Sequence, residues 1–146
     1  GYNYKFNTMQ YRLINDADRR YIFENGLGGG QFYYMTEPAE TIKDKVIICE
    51  GAKKAIVTKF WLVPDDSYTV IAASSNNTFS AALEATKNCG LRYVIFDPGS
   101  SLWEKRAIDT NKKTTHAIRL PAKIDDMWRD YDLERRQLTS IMTNAI

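Results

Sequence analysis

The chain has 146 residues, 44% hydrophobic and 12% aromatic, enough for one domain with its own core and no need of metal or disulfide staples. Its formal net charge of +2 is too small to mark a nucleic-acid partner by composition, although a local basic strip can sit inside a near-neutral total. No run approaches the ~18 apolar residues of a membrane span, the opening "GYNYKFNTMQ" lacks a signal-peptide core, and Cys49 and Cys89 lie far apart beside apolar segments, as suits buried thiols. A soluble, cytoplasmic protein with no membrane partner is expected.

Residues 1–43 read as a β-rich lobe. "TMQYRLI" and "RRYIF" alternate apolar with polar, "QFYYM" is aromatic, and the glycine-dense "ENGLGGG" suits a turn. Because Gly28, Gly29 and Gly30 precede a strand instead of opening a helix, they fail the context test for a phosphate loop. From position 44 the period changes. "KVIICE" is a buried strand, and the stretch after Gly51 places Ala52, Ala55, Ile56, Phe60 and Val63 on one helical face. After a turn at 64–66 comes the strand "YTVIAAS", then a helix marked by Phe79, Ala82, Leu83 and Thr86 that ends at Gly90. "RYVIFD" is a third buried strand, 101–111 a third helix, and "THAIRL" a fourth strand. Ile124, Met127, Trp128 and Tyr131 then mark a short helix, and Leu138, Ile141, Met142 and Ala145 a terminal one over 132–146.

Uninterrupted apolar strands separated by single helices predict an α/β fold, with a four-stranded parallel sheet covered by helices on both faces. Ligands in such sheets gather at the carboxyl ends of the strands. Glu50 ends the first of these strands, Asp97 the third, and the fourth runs into "LPAKIDD" with Asp125 and Asp126. Taken singly, each acid has a structural alternative: Glu50 at the mouth of a helix, Asp97 opening the turn "DPGS", Asp125 or Asp126 as a helix cap. Taken together they form a candidate metal site, since converging carboxylates resist joint ionisation unless a cation compensates them.

The order "VIICEGAKKA", then "YVIFDPGS", then "IRLPAKIDDMW" resembles a Toprim domain, the catalytic fold shared by bacterial-type primases, topoisomerases and certain nucleases. The version here is most similar to primase-like proteins of phages and plasmids, in which a stretch like "YRLINDADRRYIFENG" often comes first. The resemblance spans roughly 10–131 and implies a Toprim catalytic domain over 44–131. It implies metal-dependent nucleotidyl transfer on single-stranded DNA: Asp97 with Asp125 or Asp126 holding Mg2+ or Mn2+ against a nucleoside triphosphate, and Glu50 acting as general base or organising the attacking hydroxyl. A Toprim nuclease and a non-catalytic nucleic-acid-binding module are the alternatives. One departure bears on all three, because the family's aspartate-x-aspartate pair reads Asp97-Pro98-Gly99 here. Zinc-module and helicase phosphate-loop patterns are missing from the chain, so a replicative helicase or other domains of a longer parent protein are implied partners, in a bacterial host.

Five cations are candidates for phosphate contacts. Lys53 and Lys54 sit in the first turn after Glu50, where a positive charge opposes the helix dipole, and Arg12, Arg19 and Arg20 lie among the aromatic strands of the first lobe. Solvated positions are the alternative for all five. His116 stands alone in a strand and reads as structural.

Overall fold

The computed structural model describes residues 10–12, 21–23, 32–34, 42–63, 67–73, 79–99 and 113–145. The chain divides into two compact units, Gly1–Gln31 and Phe32–Ile146. In the first, β1 (Gln10–Arg12) pairs antiparallel with β2 (Tyr21–Phe23). The second is a five-stranded sheet built from β3 (Phe32–Tyr34), β4 (Lys45–Glu50), β5 (Tyr68–Ala73), β6 (Leu91–Phe96) and β7 (Thr115–Arg119), in the order β3-β5-β4-β6-β7. The last four strands are parallel, as the sequence predicts, and β3 joins antiparallel at the β5 edge. The aromatic run at 31–35 therefore supplies a strand to the main sheet. The expected helix over 101–111, the turn at 64–66 and the glycine loop at 24–30 lie outside the described residues.

Two core clusters explain why the central strands are apolar without interruption. Ile47, Cys49, Val70, Ala72, Tyr93 and Ile95 face one way; Val46, Ile48, Ile71, Ala73, Val94 and Phe96 face the other, because successive side chains alternate across a strand. The first face is covered by α1 (Ala52–Val57), α3 (Ile124–Asp130) and α4 (Arg135–Asn144), and the second by α2 (Phe79–Ala85). Both faces of β4 are thus dry, and 46–49 are fully buried. Among the described residues no helix is long and apolar enough to cross a membrane.

Two helical faces depart from expectation. α1 runs on into a π-helical stretch, Thr58–Leu62, closed by the Val63 amide donating to the Thr58 carbonyl at 2.7 Å. The stripe that packs on the sheet is Ala55, Thr58, Lys59 and Leu62, at i, i+3, i+4 and i+7, while Ile56 and Phe60 are exposed. Two polar residues occupy the middle of that stripe, so selection of apolar positions alone rotates the face. Thr58 is accommodated there because its Oγ1 donates to the Lys54 carbonyl at 2.8 Å. In α3 the helix stops at Asp130; the chain turns through Asp132 at φ +52° and buries Leu133, leaving Tyr131 in solvent. α4 matches its expected stripe, with Leu138 and Met142 buried and Ile141 and Ala145 against them. Its start is a capping box, in which the Gln137 side chain accepts the Glu134 amide at 2.7 Å.

Candidate active site

Parallel register brings the ends of β4, β6 and β7 to one edge. Cys49 lies beside Ile95 and Ile95 beside Ile118, so Glu50 on the central strand neighbours the exit of β6 into Asp97. Gly51 adopts φ +92°, a left-handed conformation that favours glycine, and its amide donates to the Ala73 carbonyl at 2.7 Å. This contact pins the turn to β5 while the chain swings into α1. One turn of helix then returns Lys54 to the carboxylates, and its Nζ meets Asp97 Oδ2 at 2.5 Å with both side chains about 85% buried.

Glu50 and Asp97 are close enough to share hydrogen bonding. The Glu50 carboxyl is pushed above its ordinary value of 4.5, chiefly by burial and next by the charge of Asp97; Lys54 opposes the rise, and the Asp97 backbone amide also helps the charged form. Two carboxylates and one ammonium thus form a compact, half-dry cluster. Behind it, Cys49 is fully buried, with Sγ 3.5 Å from Thr58 Oγ1, and burial pushes its thiol up to about 12. So protonated a thiol is a packing group, not a nucleophile.

The two aspartates of "KIDD" part company in the first turn of α3. Asp125 is buried against α1, its Oδ2 3.5 Å from Lys53 Nζ, and its buried Oδ1 has no hydrogen-bond partner among the described residues. Asp126 turns to the surface and pairs with Arg129 at 3.1 Å, i to i+3. Lys53 and Lys54, read as phosphate contacts or solvated positions, both end on carboxylates. Their spacing from Glu50, three and four residues, is the signal that places them over the strand tips.

Gly99, where the Toprim pattern that the sequence resembles has its second aspartate, sits at φ +92° with no atom within 4 Å of where a Cβ would stand. Space is open there, but the backbone suits glycine. Arg12 lies in β1 of the first unit opposite Tyr21, and Arg19 and Arg20 lie outside the described residues. His116 is in β7, its ring 5.9 Å from that of Tyr93. Among the described residues no group of three or more His, Cys, Asp or Glu is close enough to hold a metal ion. The donor chemistry present, carboxylate oxygens beside cations, fits a hard cation held by one or two carboxylates with substrate phosphates completing its shell. It does not supply a closed metal cage. No family model matches the chain, and no curated protein matches it in sequence.

Proposed function

We propose that the second unit is a Toprim-like catalytic core that transfers nucleotides to a primer on single-stranded DNA, the activity of a phage- or plasmid-type primase. The observation that carries this reading is the meeting of Glu50 and Asp97 at the tips of adjacent parallel strands, with Lys54 bridging to Asp97. In it, Asp97 would hold Mg2+ or Mn2+ with the triphosphate's own oxygens completing the shell, and Asp125 or Asp126 would be the further carboxylate that the resemblance implies, although neither forms a three-acid group with Glu50 and Asp97 among the described residues. The metal, when bound, neutralises charge developing on the phosphates. Glu50, its proton affinity raised by burial and by Asp97, takes the proton of the primer hydroxyl as that oxygen attacks the α-phosphorus and pyrophosphate leaves. Lys54 holds Asp97 in place until the triphosphate arrives and then faces the phosphates as a point charge. Lys53 keeps Asp125 oriented in the same manner.

The close Lys54–Asp97 pair favours a second reading, a nucleic-acid-binding module in which that lysine permanently occupies the place of a metal. A Toprim nuclease would direct water instead of a primer hydroxyl with the same acids. One experiment separates all three: the full chain, labelled nucleotides and a single-stranded DNA template with Mg2+ or Mn2+, read on a gel for lengthened and shortened strands together. Metal-dependent extension supports the primase reading. Shortening alone supports the nuclease, and DNA retention with neither product supports the binding module.

A further inference from the structure

A cavity of about 220 Å3 lies at the other edge of the sheet, between the first residues of β4 and β5 and one face of α4. Lys45 and Glu50 begin and end the same strand, so this cavity is some ~16 Å from the carboxylates at ~3.3 Å per residue. Lys45 and Arg135 line it together with the hydroxyl residues Ser67, Tyr68, Tyr93, Thr139 and Thr143, and no carboxylate is among the described lining residues. Lys45 lies over the Tyr68 ring, Nζ 5.7 Å from its centroid, and neither Lys45 nor Arg135 forms an ion pair among the described residues. Tyr93 is only 2% exposed, yet its hydroxyl has no hydrogen-bond partner among the described residues. The hydroxyl is not among the buried atoms left without a partner, so it opens to the cavity, where solvent or a bound group can meet it.

The donor set defines the ligand. Two cations and several hydroxyls, with no acidic group among the described lining residues, suit an oxyanion with many acceptor oxygens. The volume falls below the ~300–1,000 Å3 of pockets that take drug-sized molecules, so the ligand is small. We propose that this cavity is a second, separate site that binds a phosphate group, either as a free anion or as a small phosphate monoester.

The test is calorimetric titration of the full chain with inorganic phosphate, pyrophosphate and glycerol phosphate, at constant ionic strength set with chloride. Saturable one-to-one binding is expected. Lys45→Gln with Arg135→Gln should weaken it by about tenfold or more, as the loss of charge-assisted hydrogen bonds implies. Tyr93→Phe, which keeps the ring and removes only the hydroxyl, should weaken it severalfold, and it decides the matter if the double variant fails to fold. Glu50→Gln should leave the affinity unchanged. Glycerol phosphate binding as tightly as phosphate identifies a monoester site, and binding of the inorganic anions alone identifies a free-anion site. No saturable binding, parent affinity in the cavity variants, or loss of binding in Glu50→Gln overturns the proposal.

Discussion

Glu50 is held at the tip of a dry strand beside another carboxylate, and its substitution should separate activity from stability. Its folded pKa is raised, so the folded chain keeps a proton where the unfolded chain has lost it. Its contribution is therefore fully present below the ordinary value of 4.5 and is lost as pH rises through the folded value. Glu50→Gln removes the charge that causes that loss. The variant should melt at or above the parent temperature at neutral pH, with the gap closing toward pH 4.5, while extension or cleavage is abolished. A variant that keeps full activity, or unfolds at neutral pH, refutes this role. The neighbouring aspartates make a sharper pair. Asp125→Asn alters a buried carboxylate with one oxygen unpartnered and should weaken manganese binding by about tenfold or more, the scale on which groups around metal sites act. Asp126→Asn breaks only a solvent-screened surface pair with Arg129 and should leave binding within about twofold of the parent. Equal effects in a manganese titration would show that facing α1 does not distinguish the two.

At the scale of elements, Arg92 ties α2 to the sheet. It is fully buried, Nη1 donates to the Leu83 carbonyl near the end of α2 at 2.9 Å, and Nη2 donates to Thr114 Oγ1 at 2.9 Å. Nε has no partner among the described residues, and burial lowers the pKa of the guanidinium. Replacing a buried charge by an apolar group of similar size is often neutral. Arg92→Met should thus stay within ~2 kcal/mol of the parent in denaturant melts, while Arg92→Ala, which leaves a void, should cost a further ~2–5 kcal/mol. Equal losses would mean that the two hydrogen bonds outweigh the volume. Gly99 gives a second test of local geometry. Gly99→Ala and Gly99→Asp should each lose ~1–3 kcal/mol to the left-handed backbone, but only the aspartate variant should tighten manganese binding. Matching metal affinity in the two would show that Gly99 is remote from the cation. Elements such as β4 were legible because four apolar residues in a row suit a strand buried on both faces. The face of α1 was not, since Thr58 and Lys59 sit in its buried stripe, and Tyr131 lost its place because a turn at Asp132 inserts Leu133 instead. The meeting of Glu50 with Asp97 was legible from strand ends alone, whereas Asp125 and Asp126 do not join them in a three-acid group, and the pairing of Lys53 and Lys54 with particular acids depends on a helix phase that local sequence does not state.

At the scale of the molecule, the partner of a strand is the least legible feature, because pairing joins segments distant in sequence and local alternation is the same whichever neighbour is chosen. "QFYYM" reads as a strand of an N-terminal lobe ending at 43, but β3 pairs Phe32 with Ala73, Tyr33 with Ala72 and Tyr34 with Ile71. It covers the edge of β5, whose residues 69–73 are all buried. Uncovered, that edge would present unpaired backbone groups on an apolar strand, a template for association between chains. The fragment 32–146 should therefore fold cooperatively and remain monomeric, since it retains all five strands of the sheet. The fragment 44–146 should melt at lower temperature and self-associate as concentration rises, because it keeps the parallel strands and loses their antiparallel cover. Thermal melts and sedimentation at several concentrations compare the two directly. If 44–146 is as stable and as monomeric as 32–146, β3 is dispensable to the sheet, and the aromatic run belongs functionally with the residues before it.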